Sequence, residues 1–117
     1  MHISQLKTGL KVKIDIKEGM KVLGADTPED FVSQFFCNKP NIQKWMKEYN
    51  LFEITKIDNM AGGVFNSGES WQFVVMKPVL LGGITEEDFS YDTEDEEGNP
   101  INSSTITIEN YLLEVNE

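Results

Sequence analysis

The sequence predicts an α+β fold, in which a small bent antiparallel sheet or barrel of about five to six strands carries a helical insertion at residues 27–49. Three observations support this prediction. The longest mainly apolar run, residues 71–81, is rich in aromatic and β-branched residues, which favour strands. Residues 10–16 alternate apolar and charged side chains without error. Between these two runs, aromatic residues recur at helical spacing.

The alternation in residues 10–16 predicts a strand with one buried face and one solvated face. Glu18-Gly19 is typical of a turn, and Met20 to Leu23 would continue the strand briefly. The lysines of this region would form either a weak phosphate-binding face or, as we favour, the solvated outer face of a half-buried strand.

The helical insertion has a clear beginning, because Thr27 can cap a helix and Pro28 suits its first turn. Asn38-Lys39-Pro40 interrupts it, and Asn50 is a suitable left-handed stop. We interpret the aromatic stripe as core rather than as a binding groove. The stripe comprises Phe31, Val32, Phe35 and Phe36 in the first helix and Ile42, Trp45, Met46 and Tyr49 in the second.

The remaining strands follow the insertion. Residues 51–58 alternate imperfectly, which predicts a bulge near Thr55-Lys56. Residues 59–63 would then form a turn and Val64-Phe65 a very short strand. The run from Trp71 is apolar on both faces, so it suits the middle of the sheet, and the strand should bend or end at Pro78. Residues 105–115 predict a long closing strand with a kink at Asn110.

Residues 6–14, followed by residues 52–57 and by Trp71-Gln72-Phe73, resemble the strand order of small SH3-like barrels. The resemblance covers about half of the chain and implies a five-stranded barrel with the helices as an insertion. It transfers no functional residue. Folds of this size carry many unrelated functions, so function has to be argued from sites.

At 117 residues the chain is expected to form a single domain spanning residues 1–117. Cys37 is the only cysteine, which excludes a disulfide framework and a cysteine-rich zinc site, and we interpret it as a buried structural thiol. The first residues are too polar for a secretory signal, and the main apolar run contains Gln72 and Lys77, which argues against a membrane span. We therefore expect a cytoplasmic location, in a bacterial or host cell.

The net charge of −10 is regional, since residues 78–117 carry −11 and residues 1–77 carry +1. All ten basic residues are lysine. Without arginine the chain lacks the side chain best suited to reading guanine edges, so sequence-specific nucleic-acid binding is not expected.

The acidity is concentrated in a segment, residues 84–103, that we predict to be a mobile loop. Residues 84–89 at its start could form one helical turn with a capping box at Thr85. Its spacing does not fit a calcium-binding EF-hand, because Ser104 stands where the final Glu ligand would be needed, and we predict no metal and no cofactor. The segment is either a solvated loop or a recognition element for a partner's basic surface, with two aromatic side chains as apolar anchors. The candidate partner-binding residues are Glu86, Glu87, Asp88, Phe89, Tyr91, Asp92, Glu94, Asp95, Glu96 and Glu97.

Catalysis is not expected. The only histidine, His2, lies near the chain terminus, so no histidine-based triad has a credible base, and no catalytic residue is predicted. Our leading hypothesis is a non-enzymatic, acidic, DNA-mimicking inhibitor from a phage or mobile element, which engages the basic surface of a nucleic-acid-binding protein. The alternative is a small structural or assembly subunit of a virion or complex, with contacts through the last strand or the aromatic helices. The oligomeric state is left open.

Overall fold

A computed structural model describes residues 1–36 and 39–116, with the backbone alone for residues 59–61. Within these residues the chain forms seven strands, four α-helices and two 3-10 turns. The first 3-10 turn is Ile3–Gln5 and the second is Asn110–Leu112. The other elements are β1 (Lys11–Ile14), α1 (Ile16–Leu23), α2 (Pro28–Phe35), α3 (Pro40–Glu48), β2 (Phe52–Val64), β3 (Ser70–Pro78), α4 (Glu86–Phe89), β4 (Tyr91–Glu94), β5 (Pro100–Ser103), β6 (Ile106–Glu109) and β7 (Leu113–Val115).

The main sheet is antiparallel and has the strand order β6-β3-β2-β1-β7, while β4 and β5 form a separate two-stranded sheet. Its two edge strands, β6 and β7, are separated in the chain only by the second 3-10 turn. The sheet must therefore bend until its edges lie close together. Among the described residues no pairing joins β6 to β7, so the sheet is open. The predicted α+β fold with a bent sheet is confirmed, and the sheet does not close into a barrel.

Strand β3 holds the central place predicted for the Trp71 run, between β2 and β6, and it ends at Pro78 as expected. On one face Val74 and Met76 are fully buried. On the other face the Trp71 ring makes edge-to-face contacts with Phe73 and with Tyr111, at centroid distances of 5.1 and 5.9 Å. The strand is thus apolar on both faces, but only one face belongs to the main core.

The predicted helical insertion is confirmed as α2 and α3. Thr27 caps α2, since its Oγ1 accepts the Asp30 backbone N–H at 3.1 Å. The aromatic stripe packs into the core, where Phe31, Ile42 and Trp45 are at most 2% exposed. No helix in the described part of the chain is both long and apolar enough to cross a bilayer. The predictions that concern Cys37 and Asn38 lie outside the described residues.

Asn50 confirms the predicted left-handed stop, with φ of 43°. Its side chain also joins the insertion to the first strand. The amide Oδ1 accepts the Ile14 N–H at 3.2 Å, and Nδ2 donates to the Ile14 carbonyl at 2.9 Å. The residue that ends the helical insertion therefore satisfies the backbone of β1 at the point where β1 ends.

The prediction that residues 10–16 form one strand with a continuation to Leu23 is wrong beyond Ile14, because helix α1 begins at Ile16. Asp15 is the reason. Its carboxylate accepts the Glu18 N–H at 3.1 Å and so caps a helix instead of continuing the alternation. Gly19, predicted as a turn residue, is buried inside α1 against the ring of Phe31.

The predicted turn at residues 59–63 is also wrong, because β2 continues through them to Val64. The pairing with β3 shifts register twice. The shift between Ile54 and Lys56 confirms the predicted bulge, and a second shift lies between Asp58 and Gly62. A Cβ on Gly62 would collide with the Trp71 carbonyl, so glycine here permits close strand approach.

The hairpin turn between β2 and β3 lies at residues 65–69, inside the polar segment that precedes the Trp71 run. It closes through two backbone hydrogen bonds, from the Phe65 N–H to the Glu69 carbonyl and from the Gly68 N–H to the Phe65 carbonyl, both at 2.8 Å. Gly68 has φ of 88°, which glycine adopts without steric strain. Val64-Phe65 is therefore not a separate strand, because Val64 ends β2 and Phe65 begins the turn.

The predicted closing strand is divided into β6 and β7, and the predicted kink at Asn110 is where the second 3-10 turn begins. Asn110 is 3% exposed. Its Oδ1 accepts the Gln72 backbone N–H at 2.8 Å, and its Nδ2 donates to the Met1 carbonyl at 2.7 Å. This side chain attaches the turn to β3.

Replacing Gly19 with Ala should lower the free energy of unfolding. The new methyl group would meet the fully buried Phe31 ring, and overpacking typically costs about 1–3 kcal/mol, whereas the gain in helix propensity is only about 1 kcal/mol. Urea denaturation would measure the change, with Lys21→Ala on the exposed side of α1 as the control. A midpoint for Gly19→Ala equal to or above that of the control would contradict the packing argument.

Replacing Asn110 with Ala should lower the free energy of unfolding by about 2–3 kcal/mol, because the Gln72 N–H loses its acceptor while it remains partly buried. Asn102→Ala on the exposed face of β5 serves as the control, and urea denaturation measures both variants. Equal stability of the two variants would show that the Asn110 contacts are dispensable.

Candidate functional site

The eight clustered carboxylates lie on a distinct structural unit, residues 84–103, which we call the acidic arm. The predicted helical turn is confirmed as α4, and the rest of the segment, predicted as a loop, contains the hairpin of β4 and β5. All of these carboxylate residues are exposed except Asp88, which is half-buried. Three lie in α4 (Glu86, Glu87, Asp88), two in β4 (Asp92, Glu94) and three in the hairpin turn (Asp95, Glu96, Glu97).

Helix α4 begins with the predicted capping box between Thr85 and Asp88. The Asp88 Oδ2 accepts the Thr85 backbone N–H at 2.9 Å and the Thr85 hydroxyl at 3.1 Å. The backbone N–H of Thr85 is the main reason why the pKa of Asp88 lies below its ordinary value. Lys39 Nζ also donates to the Asp88 carbonyl at 3.2 Å. Asp88 thus uses its charge to hold the arm's first turn.

The hairpin turn is organised by Asp95. Its Oδ1 accepts the backbone N–H groups of Asn99 and Glu97, at 2.8 and 3.0 Å. Two backbone bonds of 3.0 Å, from the Asp95 N–H to the Asn99 carbonyl and from the Gly98 N–H to the Asp95 carbonyl, complete it. The Asn99 N–H is the main cause that lowers the pKa of Asp95. Gly98 has φ of 82°, a conformation that favours glycine.

The base of the arm is attached to the body of the protein. Phe89 is 4% exposed and packs edge-on against Trp45 and Phe36, at centroid distances of 5.0 and 5.5 Å. The Tyr91 hydroxyl donates to the Thr105 carbonyl at 2.8 Å, and its side chain stays 38% exposed. Of the two aromatic residues predicted as partner anchors, Phe89 is therefore a core residue, and Tyr91 is the one that presents a surface.

The charge of the arm is largely uncompensated. Within the described ranges, 1–36 and 39–116, no salt bridge of 4.0 Å or less reaches any of the eight carboxylates. Their hydrogen-bond donors are neutral groups, such as the Asn102 amide, which donates to Asp92 at 3.2 Å. In the same part of the chain, no group of three or more potential metal ligands is arranged to hold an ion. The arm thus presents a strongly negative surface to solvent.

His2 lies away from the arm. Its Nε2 is 3.1 Å from the Glu69 carboxylate, and its Nδ1 is 2.8 Å from the Ser4 hydroxyl. The ring therefore links the first 3-10 turn to the hairpin turn between β2 and β3.

Sequence reasoning missed the hairpin of the arm, although a signal for it was present. Asp95 followed by Gly98 and Asn99 is a turn sequence, and Tyr91, Thr93 and Ile101 on either side are strand formers. The clustered acids outweighed that signal, since acidic residues are depleted in strands.

Comparison of the chain with protein-family models, with curated proteins and with solved structures gave no match in any of the three. The arm and its surroundings are therefore interpreted from their own geometry.

Replacing Asp95 with Ala should open the hairpin turn and leave the core intact. The Glu97 and Asn99 N–H groups would lose a charged acceptor, so their hydrogen exchange should accelerate about tenfold or more, with an unchanged urea midpoint. Asp92→Ala is the matched control, because the Asp92 carboxylate accepts from the side chain of Asn102 and not from the backbone of the turn. In the wild type, the Asp95 carboxylate should protect the Glu97 and Asn99 amides from exchange. This protection should be complete above the unfolded-state pKa of about 3.9, and it should be lost as the pH falls through the lower pKa of folded Asp95. Equal exchange in the two variants would contradict this role.

Proposed function

We propose that this protein is a non-enzymatic binding module whose acidic arm docks on the basic surface of a nucleic-acid-binding protein. The observation that supports the proposal most is the organisation of the arm. Its carboxylates stand on the helical turn α4, on strand β4 and on the hairpin turn, all held by hydrogen bonds, with no lysine in a salt bridge to them in the described residues. A solvated loop that served only solubility would not need a fixed arrangement of its charges.

The spacing of the charges also supports a resemblance to nucleic acid. Asp92 and Glu94 are two residues apart in β4, so they share a face, at a separation of about 7 Å along the strand. One strand of duplex DNA carries a phosphate about every 3.4 Å along the axis, so the two carboxylates match about every second phosphate. A basic groove shaped for DNA would therefore meet two charges in register with its phosphate sites, at about half the charge density of one DNA strand.

The hairpin turn should contribute to affinity. Because Asp95 holds the tip in one conformation, less conformational entropy is lost on docking than a flexible acidic tail would lose. Tyr91, partly exposed beside the strand acids, supplies the apolar contact that charge alone does not provide. An inhibitor encoded by a phage or mobile element and acting on a host nucleic-acid enzyme is the biological role that fits these properties.

A second candidate, an assembly subunit, is favoured by a separate feature. Where β2 ends and the hairpin turn begins, Val64 and Phe65 are 65% and 39% exposed, and the Phe65 ring contacts Tyr111 at a centroid distance of 5.2 Å. Strand β7, at the sheet edge, exposes Val115. The aromatic helices no longer support this candidate, because Phe31 and Trp45 are in the core.

The test is a salt-dependent capture experiment with a charge-neutral arm. Glu87, Glu94, Glu96 and Glu97 would be changed to Gln, while Asp88 and Asp95 stay, since they hold the arm's conformation. The matched control neutralises four exposed acids elsewhere: Glu18→Gln, Asp26→Asn, Glu48→Gln and Glu114→Gln. We expect a nucleic-acid-binding protein that the wild type and the control retain, that duplex DNA displaces, and that the arm variant binds about tenfold or more weakly at low salt.

Retention of the same proteins by the arm variant and by the wild type would overturn the proposal. Contacts that strengthen at high salt and disappear on changing Val64 and Phe65 to Ser would instead favour the assembly subunit, because apolar association is not screened by salt.

A further inference from the structure

A cavity of about 380 Å³ lies where the acidic arm joins the main sheet. This volume falls within the range of sites that bind small molecules. One wall carries side chains from three adjacent strands of the main sheet, and another carries Glu86, near the start of the arm, and Ser104, directly after its last residue. Pro78, Val79 and Leu80 form an apolar wall between them.

The sheet wall is a row of alternating charges fixed by strand register. Lys11 pairs with Glu53 across β1 and β2, and Glu53 pairs with Lys77 across β2 and β3. Each oxygen of the Glu53 carboxylate contacts one ammonium, at 2.5 Å for Lys11 and 3.4 Å for Lys77. The Lys11 hydrogen bond is the main reason why the pKa of Glu53 lies below its ordinary value. The row therefore carries one net positive charge.

Both lysines keep donors for a ligand. An ammonium has three N–H groups, and each lysine directs one of them to Glu53. Because Glu53 holds both side chains, an anionic group would find two donors already positioned, and little side-chain entropy would be lost.

The arm wall has the opposite charge. The Glu86 Oε1 accepts the Ser104 hydroxyl at 2.9 Å, which positions the carboxylate at the cavity. No salt bridge to Glu86 exists among the described residues. The cavity lining therefore combines a row with net positive charge, a carboxylate and an apolar stretch.

We propose that this cavity binds a small zwitterion of the α-amino acid class with an apolar side chain. The ligand carboxylate contacts Lys11 and Lys77, its ammonium contacts Glu86, and its side chain packs on Pro78, Val79 and Leu80. A simple anion would be repelled by Glu86, and a simple cation by the lysine row. This site is separate from the protein-binding role proposed above, because it uses the base of the arm and not its tip.

The experiment titrates the full 117-residue chain with three probes that differ in charge. Binding is monitored by NMR of the backbone amides and by calorimetry. L-leucine carries both charges, 4-methylpentanoate carries only the carboxylate, and leucinamide carries only the ammonium. We expect saturable binding of leucine, with amide shifts at residues 79–80 and 104–105, and binding of the other two probes about fivefold or more weaker.

Two variants, each with a control variant, show which side chain binds which charged group of the ligand. Glu86→Gln keeps an acceptor for Ser104 and should weaken leucine binding about fivefold without weakening 4-methylpentanoate, whereas Glu87→Gln should change neither. Lys77→Gln should weaken both probes, and Lys56→Gln, outside the cavity, should weaken neither. Absence of saturable leucine binding, or equal or tighter binding of 4-methylpentanoate, would overturn the proposal.

Discussion

The fold depends on the corner at Asn110, where three residues carry the chain from one edge of the main sheet to the other. Strand β6 pairs with β3, and β7 pairs with β1, so a flat sheet of five strands could not be joined by so short a turn. The Asn110 side chain fastens the corner to β3 through the Gln72 N–H. The resulting curvature gives the sheet a concave face, where Val12, Ile54, Val74 and Ile108 are at most 1% exposed. The helical insertion contributes Phe31, Ile42 and Trp45 to the same core cluster.

The acidic arm lies in the connection between β3 and β6 and adds no strand to the main sheet. Strands β3 and β6 are neighbours in the sheet, yet 27 residues lie between Pro78 and Ile106, and the arm occupies most of them. Phe89 and Tyr91 anchor its base, so the tip needs to satisfy only its own turn. A strongly negative segment can be carried there because none of its carboxylates is fully buried. The main sheet and the helical insertion therefore form most of the core, while the arm carries most of the net negative charge.

The features that the sequence predicted correctly have local causes. The Trp71 strand, the Thr27 cap, the bulge after Ile54 and the Asn50 stop each depend on residues close together in the chain. Helix α1 was missed because alternation outweighed a single cap, Asp15, whose role shows only in its bond to Glu18. For the site, composition located the acids, but only geometry distinguishes Asp88 and Asp95, whose carboxylates accept backbone N–H groups, from the glutamates of the arm. The cavity wall depends on strand register, which brings Lys11, Glu53 and Lys77 together from distant parts of the sequence.

The carboxylates of the acidic arm repel one another, and the strength of this repulsion depends on the salt concentration. Repulsion among exposed carboxylates disfavours the compact arm, and the bonds that Asp88 and Asp95 accept from backbone N–H groups offset it locally. Added salt screens repulsion within the arm and attraction to a basic partner alike. It should therefore stabilise the arm while it weakens docking. A loss of binding at high salt would then come from screening of the interface and not from unfolding of the arm. The salt dependence of binding therefore measures how far charge drives recognition.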